Sequence, residues 1–342
     1  MDKLIDRFVE KGSVHGSPRH LLSSTKQYAF LAARKVVPKF ARVESERIVF
    51  NYVTGRIRKQ VVIRGETNNP LAFCIVHYND PEYLLLNIQQ IQSLHPQSDI
   101  YVLDNGSQKS NLEVAKKGLE KFNNVTLFAA KLQYENLPTK LLSEGIFNSY
   151  THSKGLHFLL NYSADRLNEF AVFLDQDCIL ANNINSLLAK FGKDVTLIGP
   201  PDYLVVPHDF GPLKKGLWRD FRPFVHASFM ILQPQRIRRF LQDFSFETQN
   251  VFHNDYHNIS FRMLGKIFYL ESQMHETIPL LTRYYDKKIT YAWHAWYSSV
   301  KYRLFQPHQT QFHGLPVQWL HDTRRVEFDY LSQISAEQQG YE

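Results

Sequence analysis

Cysteine is nearly absent from this sequence: 342 residues hold only Cys74 and Cys178, each inside an apolar run. Two such residues make no disulfide framework, and they fit a reducing compartment. No run of about 18 apolar residues occurs, so no segment is expected to span a membrane. The N-terminal stretch Met1-Asp2-Lys3-Leu4-Ile5-Asp6-Arg7 lacks an apolar core and a small-residue cleavage site, so no signal peptide is expected. These absences together predict a cytoplasmic protein. Cys-x-x-Cys and His-Glu-x-x-His are missing too, and His308, His313 and His321 have no regular ligand spacing, so the 15 histidines outline no structural zinc site. A Gly-x-x-x-x-Gly-Lys loop, a Gly-x-Gly-x-x-Gly fingerprint and a Gly-x-Ser-x-Gly elbow are likewise absent.

What the chain does have is an ordinary globular balance, 44% hydrophobic and 21% charged, with enough length for a well-buried core. Aromatics reach 14%, a surplus that serves either a large core or contacts with sugars and lipids. Charge is unevenly placed. Residues 1–66 carry 14 Lys and Arg against 6 Asp and Glu, whereas the remainder carries 26 against 27, so the net +7 belongs to the N-terminal fifth. Within it, residues 23–42 read as a basic amphipathic helix, with Tyr28, Leu31 and Ala32 on one face and Pro38 as a kink. Such a segment can lie on an anionic membrane surface or pack on the outside of a domain. No Arg-rich or zinc-finger motif supports nucleic-acid binding.

After Asn68-Asn69-Pro70 the pattern changes to alternating strands and helices. Leu71–His77, Asp99–Leu103, Val125–Ala129 and Phe170–Leu174 read as strands; residues 82–94, about 110–121 and Lys154–Tyr162 read as helices. This alternation over 70–180 predicts an α/β fold, a mostly parallel central sheet flanked by helices. Ligands of such sheets sit beyond the carboxyl ends of the strands. Three polar clusters fall there: Tyr78-Asn79-Asp80, Asp104-Asn105-Gly106-Ser107 and Asp175-Gln176-Asp177.

Asp175 and Asp177 give the strongest chemical signal. Placed i and i+2 at a strand end, they should face one side about 6–7 Å apart and share a hard divalent cation. Asp104 can accept hydrogen bonds from a base or a ribose, or close an Asx-type turn. Lys154, beside Gly155 at a helix start, can meet a phosphate or stay solvated. Asp255, before an amphipathic stretch, is either a helix N-cap or an exposed general base. His294 lies between Trp293 and Trp296 in Tyr291–Tyr297, where it is either a packed core residue or a metal ligand, and tryptophans can stack on sugar faces.

Taken in order, these clusters resemble the GT-A glycosyltransferases, specifically glycosyltransferase family 2, over about residues 70–300. Tyr78-Asn79 and Val102-Leu103-Asp104-Asn105-Gly106-Ser107 look like that family's nucleotide pocket. His152-Ser153-Lys154-Gly155 falls where an Arg-Asn-x-Gly-like element is usual. Leu174-Asp175-Gln176-Asp177 looks like the Asp-x-Asp metal motif, with the middle Gln of rhamnosyltransferase-type members that use a dTDP-sugar. Asn254-Asp255 resembles the Glu-Asp element whose Asp is the catalytic base, and His294 resembles the late metal-binding His.

The resemblance implies a GT-A catalytic domain over 67–300, with a Rossmann-like nucleotide-sugar half (67–180) and an acceptor half (181–300). A basic, partly helical extension (1–66) precedes it and a lid or tail (301–342) follows. The implied activity is inverting transfer of a hexose, or of rhamnose, to a hydroxyl of a glycan or lipid-linked acceptor in polysaccharide or glycoconjugate assembly. Asp255 would be the base. Asp177, His294 and Asp175 would hold Mn²⁺ or Mg²⁺. Tyr78, Asn79, Asp104, Asn105, Lys154, Asp175 and Gln176 would bind a UDP- or dTDP-sugar, and Trp293 and Trp296 the acceptor. The competing readings are a retaining GT-A enzyme, a nucleotidyltransferase, whose usual Gly-rich phosphate loop is missing from His77-Tyr78-Asn79-Asp80-Pro81, and a non-enzymatic module, bound to membrane or nucleic acid through residues 1–66. A peripheral position on the cytosolic membrane face goes with residues 23–42.

Overall fold

The computed structural model describes residues 58–131, 144–192, 195–203, 223–243, 266–275, 277–278, 280–295, 311–312 and 315–339. They form a mixed α/β structure around one large sheet. Its strands are β1 (Arg58–Ile63), β2 (Leu71–His77), β3 (Asp99–Asp104), β4 (Val125–Lys131), β5 (Phe170–Asp175), β7 (Val195–Gly199), β10 (Phe229–Leu232) and β11 (Lys266–Tyr269). Their order is β1-β4-β3-β2-β5-β10-β7-β11. A second sheet runs β12 (Glu271–Met274), β13 (Leu281–Asp286), β14 (Ile289–Ala295), β6 (Cys178–Leu180). The short β8 (Pro201–Tyr203) and β9 (Pro223–Val225) pair with each other.

The four strands read from sequence, β2 to β5, are the parallel block: β3 pairs β4, and β2 pairs β3 and β5, all parallel. Their continuous apolar runs follow from burial on both faces. In β2 the pleat sends Phe73 and Ile75 to one side, among Leu84, Ile88 and Ile91 of α1 (Pro81–Leu94) and Leu119 of α2 (Lys109–Leu119). Ala72, Cys74 and Val76 go to the other side, against Leu156, Leu159 and Leu160 of α3 (Glu144–Asp165). Gly155 lets α3 approach closely: a Cβ there would lie 3.0 Å from Val76 Cγ2. Pro81 opens α1 at its first turn, where a missing N–H is harmless.

Beyond β5 the sheet stops being parallel. β10 pairs antiparallel with both β5 and β7, and parallel pairing returns only at β7–β11. Within the apolar run His226–Leu232, β10 begins only at Phe229; His226 precedes a turn at Ala227-Ser228. Gly199 fits where a Cβ would lie 2.6 Å from the Phe229 carbonyl oxygen. A short helix, α4 (Asn185–Leu188), follows β6, and α5 (Pro234–Asp243) follows β10.

The second sheet was not foreseen from the sequence. It is antiparallel throughout, with β14 between β13 and β6. Ile179, Leu281 and Ala295 on one of its faces pack with Tyr83 and Leu86 of α1 and Leu331 of α6 (Val317–Gln339). Arg58–Ile63, read as part of the N-terminal extension, is the edge strand β1, antiparallel to β4. Residues 1–57, with the basic helix expected over 23–42, lie outside the described residues. No helix among the described residues is long and apolar enough to cross a membrane.

Candidate functional site

The tips of β2, β3 and β5 lie side by side because the strands are parallel and in register, His77 opposite Asp104 and Val76 opposite Asp175. At the β2 and β3 tips the polar residues bind one another. Asp104 is 1% exposed; one oxygen accepts from the backbone N–H of Gly106 (3.1 Å) and Ser107 (3.0 Å), and the other lies 2.9 Å from His77 Nδ1. Gly106 takes a φ of 86°, which glycine adopts without strain. The side chain of Asn79 accepts from the Gln108 N–H at 2.6 Å, and its own N–H donates to Ser107 Oγ at 2.8 Å. Asn105 is buried as well. Asp104 thus closes the turn that follows β3. Tyr78, half-buried, directly follows β2 in the same loop.

Asp175 and Asp177 converge differently from the sequence expectation. They do not share one pleated strand end: β5 stops at Asp175, Gln176-Asp177 form a turn, and β6 begins at Cys178 in the other sheet. A turn brings the carboxylates together where a pleat would hold them about 6–7 Å apart. The backbone anchors this turn at both ends. The Asp175 N–H donates to the Ser228 carbonyl (3.0 Å), and the Ala295 N–H donates to the Asp177 carbonyl (3.0 Å). Gln176 Oε1 accepts from the Tyr78 N–H (2.7 Å) and its Nε2 donates to the Tyr78 carbonyl (3.2 Å), so the middle residue ties the turn to the first loop.

His294 arrives from β14, where it lies opposite Cys178. Its Nε2 sits 3.7 Å from Asp175 Oδ2 and 3.6 Å from Asp177 Oδ1. One ligand atom from each of the three lies within 4.8 Å of the others. Donors held about 2.0–2.2 Å from one ion stand roughly 3–4 Å from each other, so the set fits a divalent cation. Two carboxylates and one imidazole suit Mg²⁺ or Mn²⁺ better than a thiolate-preferring metal.

Two further histidines join this cluster. His152 of α3 places Nε2 3.3 Å from Asp175 Oδ1, and the His226 ring centre is 5.9 Å from that of His294. Burial pushes the Asp175 carboxyl up, but the hydrogen bond and charge of His152, with His294 and His226, outweigh it and hold the group well below the usual carboxylate range. Burial pushes His294 down, yet the hydrogen bond and charge of Asp177, with Asp175 and the buried Glu327 of α6, raise it overall. Burial, aided by Cys178 and the two aspartates, keeps the Tyr284 phenol protonated. His294 Nδ1 meets Tyr284 Oη at 2.9 Å, and that oxygen meets Ser228 Oγ at 2.6 Å.

The structure thus assembles Asp175, Asp177 and His294, and adds His152, His226, Ser228 and Tyr284, to none of which the sequence reading gave a site role. The Lys154 backbone belongs to α3; its side chain lies outside the described residues, as do Asp255 and Trp296. Trp293 is wrapped edge-on by His275 (5.3 Å) and Tyr330 (6.1 Å).

No family model matches the chain, and no curated protein matches it. Among solved structures, it is similar to the galactosyltransferase LgtC in complex with donor and acceptor sugar analogs, at 17% identity over 58% of this chain and 72% of that one, TM-score 0.38. The mannosyltransferase PcManGT from Pyrobaculum calidifontis, in complex with GDP-Man and Mn2+, matches at 11% identity over 72% and 66%, TM-score 0.37. The bifunctional glycosyltransferase WbbM matches at 14% over 61% and 40%, TM-score 0.37. Scores of this size establish no common fold.

Proposed function

We propose that this protein is a divalent-metal-dependent glycosyltransferase of GT-A type, moving a sugar from a UDP- or dTDP-sugar to a hydroxyl of a glycan or lipid-linked acceptor. The observation that carries the reading is the Asp175-Asp177-His294 cluster at the carboxyl end of the parallel block. Ligands of parallel sheets bind there, and the Tyr78 loop is clamped to the same turn by Gln176. Asp177 and His294 would hold the cation, with Asp175 completing its shell. When bound, the cation supplies charge neutralisation for a leaving diphosphate.

The chain's own residues account for the rest. Asp255 takes the proton of the acceptor hydroxyl; that oxygen bonds to the anomeric carbon while the bond to the diphosphate oxygen breaks, its electron pair leaving with the nucleotide. Attack from the opposite face inverts the anomeric configuration. His152 holds one oxygen of Asp175, which leaves the other on the His294 side. Basic residues 23–42 would keep the enzyme at an anionic membrane surface near a lipid-linked acceptor.

A thermal-shift screen of UDP-, dTDP- and GDP-sugars, with and without Mn²⁺, tests this. A metal-dependent shift that disappears in Asp177→Ala is expected; no shift with any nucleotide would overturn the reading. Product NMR tests the stereochemistry separately, since retention would remove Asp255 as the base.

A further inference from the structure

Behind His294 runs a chain of hydrogen bonds whose direction can be worked out. The backbone N–H of Ser228 donates to His226 Nδ1 at 3.2 Å. An amide N–H can only donate, so His226 Nδ1 carries a lone pair. Ser228 Oγ, 2.7 Å from that nitrogen, must then give its single hydrogen to it. Ser228 Oγ can therefore only accept from Tyr284 Oη at 2.6 Å, and Tyr284 Oη can only accept from His294 Nδ1 at 2.9 Å. The hydrogen of a neutral His294 is thus on Nδ1. Its Nε2 lone pair then faces Asp175 and Asp177 at 3.7 and 3.6 Å, the position a shared cation would take.

We infer that His226, Ser228 and Tyr284 are positioning residues that lock His294 in its Nδ1–H tautomer, so that Nε2 is committed to the cation. The inference rests on the metal reading above, but it concerns three residues that touch no cation. They come from distant segments: His226 and Ser228 lead into β10, Tyr284 lies in β13, and His294 in β14. The large sheet thereby dictates, through two hydroxyls, which nitrogen the second sheet presents. Outer partners of metal-bound histidines fix tautomer and orientation in this way, and their loss typically weakens metal affinity about 10–100-fold.

Two readouts test the lock without any activity assay. In metal-free protein labelled with ¹⁵N-histidine, at a pH where the imidazole is neutral, His294 should carry its hydrogen on Nδ1. Ser228→Ala frees the Tyr284 hydroxyl to donate to Nδ1 and should move the hydrogen to Nε2. Calorimetric Mn²⁺ affinity should then fall about 10–100-fold in Ser228→Ala and in His226→Ala. His226→Asn, whose Oδ1 can accept where Nδ1 did, should restore it to within about threefold of wild type. An unchanged His294 tautomer in Ser228→Ala, or equal affinities in His226→Asn and His226→Ala, overturns the lock. If wild-type protein binds no Mn²⁺, the functional reading fails instead, and the nitrogen spectra decide the lock alone.

Discussion

β3 and β5 flank β2 on opposite sides, run parallel to it, and both end on an aspartate followed by a polar turn: Leu103-Asp104-Asn105-Gly106 and Leu174-Asp175-Gln176-Asp177. In space the two ends differ. Asp104 is 1% exposed and turned back on its own loop and on His77, whereas the Asp175 side chain is 25% exposed and faces three histidines. The difference lies in where the chain goes next. After Asp104 it folds straight into α2 and the carboxylate closes the turn; after Asp175 it crosses into another sheet, whose neighbouring strand delivers His294. A strand-end aspartate joins a side-chain cluster when a second element brings it a partner.

That contrast can be broken by mutation. The largest effect is expected at the closed end: Asp104→Ala removes three hydrogen bonds to a buried carboxylate and should lower unfolding stability by roughly 4 kcal/mol in urea melts. Its Mn²⁺ affinity should stay within about tenfold of wild type if the two ends are independent. Acid should probe the framework rather than the open end. His95, which follows α1, is held down to about 4 by burial, and its Nε2 accepts the Ile184 N–H at 3.1 Å. The unfolded chain therefore binds the proton first. This contribution is complete above the unfolded pKa of about 6.5 and is lost as pH falls toward 4, about 3 kcal/mol in all. His95→Gln should flatten that part of the stability–pH curve.

At the open end the order reverses. Asp177→Ala should weaken Mn²⁺ binding about 100-fold or more, yet change the metal-free melting temperature by only a few degrees. The smallest effect is expected for Gln176→Ala, which keeps every ligand but cuts both ties to Tyr78; about a tenfold loss in metal-dependent nucleotide binding should accompany a stability loss of roughly 1–2 kcal/mol. Should Gln176→Ala leave nucleotide binding unchanged, the two strand tips do not act as one site.

The legible part of the molecule was the parallel block. Its strands are unbroken apolar runs because helices cover both faces, and its helices repeat at Leu84, Ile88 and Ile91. Asp175, Asp177 and His294 were readable as chemistry, although the pleat offered for the first two was the wrong geometry. The second sheet escaped because β6 and β12 are short and because polar residues interrupt the apolar pattern of the longer strands, as in Leu281-Thr282-Arg283-Tyr284. A signal was present in Asp286-Lys287-Lys288-Ile289, a hairpin turn that sets Thr282 opposite His294 and Tyr284 opposite Ala292. His152 and His226 could not be placed, since only the packing of α3 and the entry into β10 bring them to the turn.

The turn at Gln176-Asp177 also has a mechanical meaning. An ion gripped by Asp175, Asp177 and His294 would cross-link two sheets and close a loop of roughly 120 residues of chain. Unlike a covalent staple, such a clip acts on the native state alone, and the stability it adds grows with the logarithm of free ion concentration. Metal content would then set how firmly the second sheet is fastened to the first, making the ion a structural rivet as well as a reagent.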